Sequence, residues 1–254
     1  MLSGTYNVIK SFERRIRRKL KGQALAGLPV DFDPAFKPIY DAAKPYTMTS
    51  PYRMNALHEA VKYILKANIA GDFVECGVWR GGSMMVVAQT LLNANAPPRE
   101  LYLYDTFTGM SEPSEKDVTT DGRVARGRWE KSQNGDANLW CYAPLDDVKK
   151  NLAGTGYPLD LVHFVQGKVE ETIPATIPQR IAILRLDTDW FDSTYHNLVH
   201  LYPRLAVGGV LILDDYGAWK GAREATDQYF REVGQALFLS RIDDVSRVAI
   251  KTQE

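Results

Sequence analysis

The chain has 254 residues, enough to bury one sizeable core, so a single α/β domain with extensions is the first expectation. Hydrophobic residues make up 45% and charged residues 24%, a globular balance that excludes disordered and collagen-like chains. Lys plus Arg and Asp plus Glu both total 31, so no basic excess advertises nucleic acid as a partner.

The first predicted element is a basic helix in KSFERRIRRKLK at 10–21, with seven basic residues against Glu13 and with Ile9, Phe12, Ile16 and Leu20 at helical spacing. It reads as a solvated helix packed on the domain or on a second subunit, with an anionic surface as the alternative. The N-terminus has no signal-peptide core, and no apolar run approaches the roughly 18 residues of a membrane span. A soluble, unprocessed chain without stable membrane insertion is therefore expected. Residues 1–45 form a helical extension, a lid or a subunit contact, ahead of the main domain at 46–254. The extension leaves a homo-oligomer as a candidate assembly.

From there strands and helices alternate. A helix over 55–69 precedes strand 73–78 (FVECGV), helix 82–95 and strand 101–105 (LYLYD). A long irregular insertion covers 106–142, then helix 144–154 leads to strand 161–166. Strand 181–187 (IAILRLD), helix 193–206, strand 209–214 and helix 219–233 follow. The end differs, because 236–242 and 246–251 read as an antiparallel hairpin. This order implies a doubly wound, mostly parallel seven-stranded α/β sheet with helices on both faces. Cys76 and Cys141 fall in no zinc or redox spacing, and a reducing cytoplasm fits them best.

In such a sheet the ligand lies beyond the carboxyl ends of the strands, which makes the residues there informative. In VECGVWRGGS, Gly77, Gly81 and Gly82 allow a tight turn and close approach of backbone to a ligand, but the spacing is not the dinucleotide fingerprint. Asp105 stands where an acid accepts ribose hydroxyls, with a turn cap as the alternative. Gln166 and Gly167 end the third strand as adenine-edge candidates. Asp187 and Asp189 should come within a few ångströms of Asp214 and Asp215. Four unpaired carboxylates there would repel one another, and Mg²⁺ or a similar hard divalent cation removes that penalty.

The rival is a phosphoesterase or phosphomutase of the haloacid dehalogenase type. It requires Asp-x-Asp on the first strand, whereas here three strands come earlier and twenty-six residues separate Asp187 from Asp214. His58 and His200 read as structural, and Ser193 as a helix cap rather than a nucleophile. Trp129, Trp140 and Tyr142 form either a lid or the packing of a long loop.

Together, GDFVECGVWRGGSMM, LYDTFTGM, LRLDTDWFDST and GGVLILDDYGAWKGAREA resemble the macrocin O-methyltransferase family over about residues 47–235. The resemblance implies a class I methyltransferase (Rossmann-like) fold binding S-adenosylmethionine through Glu75, Gly77, Gly81, Ser83 and Asp105. It further implies metal ligation by Asp187, Asp214 and Asp215, with Asp189 as general base. The acceptor would be a hydroxyl of a small natural product, first of all a sugar of a glycosylated secondary metabolite. A catechol-like or other diol is the alternative within enzymes, and a noncatalytic ligand-binding member of the fold the alternative outside them.

Overall fold

A computed structural model describes residues 27–254, so the basic helix expected at 10–21 lies outside the described residues. The seven strands of the main sheet stand in the order β5-β2-β1-β6-β7-β9-β8. They are β1 (Asp72–Cys76), β2 (Leu101–Asp105), β5 (Val162–Gln166), β6 (Ile181–Leu186), β7 (Leu205–Leu213), β8 (Ser240–Arg241) and β9 (Arg247–Ile250), with β3 (Gln133–Asn134) and β4 (Ala137–Asn138) forming a separate hairpin. Five strands run parallel, and β9 and β8 close the edge antiparallel, as the sequence pattern anticipated. The chain leaves β1 toward β2 and β5, then returns to build β6 and β7 on the other side. The reversal between β1 and β6 is where such sheets bind ligands.

Alternation along the strands assigns the two faces. Phe73, Leu101, Leu103, Ile183, Val210 and Ile212 point into one core with α1 (Phe36–Ala43), α2 (Pro51–Lys66), α3 (Gly82–Asn93) and α5 (Leu145–Ala153). Val74, Cys76, Tyr104, Leu184, Leu186, Leu211 and Leu213 point into the other, under α6 (Val169–Thr172), α7 (Phe191–Leu201) and α8 (Lys220–Glu232). Near-continuous aliphatic strands are what a sheet buried on both faces requires. Leu28, Phe32, Phe36, Ile39 and Ala43 belong to the first core, so the chain from residue 28 onward packs into the domain.

Several expected boundaries move for physical reasons. Helix α2 starts earlier than predicted because Pro51 fits a first helical position and Ser50 Oγ accepts the Arg53 N–H at 3.3 Å. Ser193 is not the cap of α7. It lies inside the first turn, and its hydroxyl donates to the Thr188 and Trp190 carbonyls at 3.3 Å each. The strand expected at 236–242 shrinks to Ser240–Arg241, since β9 offers it a partner over only two residues. The insertion is irregular apart from α4 (Arg126–Lys131) and the β3–β4 hairpin, but it is stitched down. Buried Asp117 accepts from the Phe191 N–H at 2.8 Å and the Ser114 N–H at 2.7 Å, tying the insertion to the start of α7.

Candidate active site

The period of two along a strand places the charged residues as well as the apolar ones. Glu75 and Arg185 are register partners on β1 and β6, and each stands two residues after a core side chain of the α2/α3 face. Asp187 and Asp214 continue the same parity past the ends of β6 and β7. Arg185 is buried among them. Its Nη1 donates to Glu75 and, at 2.8 Å, to Asp187 Oδ2, while Nη2 donates to Asp214 Oδ1 at 2.7 Å. From α2, Arg53 reaches Asp214 Oδ2 and Asp243 Oδ2 at 2.7 Å each. The expectation of four unpaired carboxylates is thus corrected, because two guanidiniums already engage the cluster. Arg185 could have been found in the sequence as the single charge inside an aliphatic strand, two residues before Asp187; Arg53 and Asp243 gave no such signal.

Two arginines do not balance the site. Glu75, Asp187, Asp189, Asp214, Asp215 and Asp243 are six carboxylates against the two cations. Burial, only partly offset by Arg185, raises Asp187 to about 6. Burial and then the Asp187 charge raise Asp189 to about 7, and burial with repulsion from Asp189 and Asp187 pushes Asp215 well above the carboxylate range. Asp187, Asp214 and Asp215 each offer an oxygen within 4.8 Å of the others. Such a hard-oxygen set with excess negative charge fits a divalent cation. Asp189 stands beside this trio in the left-handed region, at φ +62°, and its N–H donates to Asp215 Oδ2 at 3.1 Å.

Two cavities meet at Asp187. The smaller, about 70 Å³, is walled by Gly77, Asp105, Gly109, Gly167, Lys168 and Thr188. Gly77 is required here: its φ is +84°, and an added Cβ would sit 1.8 Å from the Asp187 carbonyl oxygen. The Thr188 hydroxyl is buried without a partner among the described residues. Gln166 lines an adjoining recess on the far side of Gly167. Asp105 lines the cavity and carries the turn-cap role offered as its alternative, because its carboxylate accepts the N–H groups of Val78, Trp79 and Phe107 at 2.7–3.0 Å. Glu75 and Gly81 do not line this cavity. Glu75 is sealed behind it on Arg185, and the bare Gly81 Cα makes room for Leu152 of α5.

The larger cavity, about 470 Å³, opens over the carboxylates. Residues 46–49, Arg53, Ser83, Trp79, Cys141 and all four aspartates line it. Trp140 of the insertion meets Trp190 and Trp219 with ring centroids 5.5 and 6.1 Å away, and Trp140 and Trp219 form part of the wall. Of the expected lid residues, Trp140 is therefore both buried packing and cavity wall. Trp129 is tied by its Nε1–H to the Met110 carbonyl at 2.9 Å, and Tyr142 is exposed. His200 lines neither cavity.

The chain is similar to known proteins over most of its length. The model of the macrocin-O-methyltransferase (TylF) family matches residues 38–249. Demethyldecarbamoylnovobiocin O-methyltransferase of Streptomyces niveus is 29% identical over 201 residues, 79% of this chain and 74% of its own. A tetracenomycin 4'-O-methyltransferase of Streptomyces olivaceus, acting on a dimethoxy-rhamnosyl compound by its name, is 33% identical over 198 residues, 78% of this chain and 72% of its own. The solved structure of the O-methyltransferase NovP superposes with a TM-score of 0.71 at 28% identity, covering 82% of this chain and 83% of that one. The class I methyltransferase fold expected from the motifs is the fold observed, and relatives transferring methyl groups to oxygen share most of the chain's length. A match over nearly the whole described chain, carrying the glycine loop and both aspartate motifs, makes this protein a member of the macrocin O-methyltransferase family and an O-methyltransferase.

Proposed function

We propose that the protein transfers a methyl group from S-adenosylmethionine to a sugar hydroxyl of a glycosylated natural product, with Mg²⁺ or a similar divalent cation held by Asp187, Asp214 and Asp215. The observation that carries this reading is the trio of carboxylates within 4.8 Å of one another, facing a cavity of about 470 Å³. A volume of that size suits a glycosylated acceptor, and indole walls suit the apolar faces of sugar rings. The sugar class also follows the name of the relative from Streptomyces olivaceus, a rhamnosyl-tetracenomycin methyltransferase.

Gly77, Gly167 and Asp105 form the donor cavity in this reading, with Gln166 at its rim and Ser83 on the acceptor side. Glu75 and Gly81 support it from behind. When bound, the divalent cation acidifies and orients the acceptor hydroxyl, and the sulfonium supplies the electrophilic methyl. Asp189, whose N–H donates to Asp215 beside the carboxylate trio, takes the hydroxyl proton. The C–O bond forms as the C–S bond breaks, leaving S-adenosylhomocysteine and a methyl ether. Gly77, by letting β1 approach the Asp187 backbone, brings the two cavities into register, and such positioning is worth roughly 7–11 kcal/mol in well-oriented systems.

Asp189→Asn tests the assignment. Turnover with a panel of glycosylated acceptors should fall about 10²–10⁴-fold, while calorimetry still detects both Mg²⁺ and S-adenosylmethionine. Loss of metal binding in that variant would make Asp189 a ligand rather than the base.

A further inference from the structure

Away from the strand ends, a second group of polar side chains lies where the segment before α1 crosses α2. His58 is 3% exposed, and its ring packs on Phe36 with centroids 5.3 Å apart. Its tautomer follows from its neighbours. The Thr90 hydroxyl donates to the Val86 carbonyl at 2.6 Å, so toward His58 Nδ1, at 2.8 Å, Thr90 can only accept. Nδ1 therefore carries the hydrogen, and in the neutral ring Nε2 presents a lone pair. That lone pair is buried and has no hydrogen-bond partner among the described residues. It faces Asp33 Oδ2 and Glu59 Oε1, each 4.0 Å away. A lone pair opposed by two carboxylates is relieved by a cation, or by a hydrogen-bond donor, placed between them.

Lys62, partly exposed, donates to both carboxylates but not to Nε2, so it serves the two acids and leaves the imidazole unsatisfied. Burial also holds the His58 pKa below its usual value, which keeps the ring neutral. The Asp33, His58 and Glu59 donor atoms lie within 4.8 Å of one another. Imidazole with carboxylates selects Zn²⁺ over Mg²⁺ or Ca²⁺, and a ligating histidine whose other nitrogen donates to a fixed acceptor is the usual supporting arrangement.

The geometry points to a structural zinc site formed by His58 Nε2, Asp33 and Glu59, with Lys62 as the resident cation that swings into solvent when the metal binds. Two carboxylates and a neutral imidazole around Zn²⁺ carry no net charge, so expulsion of the lysine is consistent with charge balance. The ion would pin the segment at residue 33 to α2, and α2 follows closely on residues 46–49, which wall the larger cavity.

Zn²⁺ binding by the full chain, measured calorimetrically in excess Mg²⁺ to occupy the strand-end carboxylates, tests the site. Wild type should bind Zn²⁺ and gain thermal stability from it. Lys62→Ala, which removes the competing ammonium, should bind about tenfold more tightly, and Asp33→Asn at least about tenfold more weakly. Asp33 lies near the surface, so its variant should fold, as melting without zinc would verify. If Lys62→Ala binds no tighter, or Asp33→Asn no weaker, the group is an ion-pair network and the zinc assignment fails.

Discussion

Arg185 shows how one residue can hold several others in place. Its guanidinium sits among Glu75, Asp187 and Asp214 in the centre of a sheet, where an unpaired charge is far more costly than a paired one. Arg185→Met should therefore destabilise the protein by roughly 3–5 kcal/mol in urea unfolding. Glu75→Gln in the same chain should recover part of that loss, because one buried negative charge disappears with it. An unchanged unfolding midpoint in the single variant would mean that water reaches the cluster and compensates for the arginine. Asp187, Asp189, Asp214 and Asp215 could be read from sequence because parallel strands put their ends side by side. Arg53 and Asp243 could not, since they arrive from α2 and the β8–β9 turn, elements with no fixed register against the sheet.

At the level of elements, the insertion is where sequence pattern failed and hydrogen bonding took over. Residues 106–142 show no periodicity, yet Asp117 is fully buried and accepts from Phe191 N, Ser114 N and Ser114 Oγ. A lone aspartate in a polar stretch carries no sequence mark of that role. Asp117→Ala leaves those donors unsatisfied and should cost about 2–3 kcal/mol, loosening the insertion before the sheet. Limited proteolysis read by mass spectrometry should then show earlier cleavage within 106–142 than in wild type. The helices and parallel strands were legible because buried aliphatic runs and amphipathic stripes recur with fixed periods. The last hairpin was only half legible, because pairing, not composition, set the two-residue length of β8.

For the molecule as a whole, the carboxylate cluster makes stability depend on pH in an unusual direction. Burial is the leading cause that raises Glu75 and Asp189 to about 7 and Asp187 to about 6, so the folded, metal-free protein binds protons that the unfolded chain has released. That contribution is complete below about pH 4 and is lost as pH rises through 6 to 7. In chelator the urea midpoint should fall across this interval, and Mg²⁺ should restore it most at the upper end. Asp243 works oppositely. Burial opposes its ionisation, but the Ser246 and Val245 N–H groups and Arg53 prevail and hold it down at about 2, so its contribution is lost only as pH falls from about 4 toward 2. The indole walls of the larger cavity carry one more consequence. Trp79, Trp140 and Trp219, three of the five tryptophans in the chain, border it. Filling that space with a saccharide should change their intrinsic fluorescence, giving an optical titration of acceptor affinity that needs neither label nor turnover and can rank compounds before any methylated product is sought.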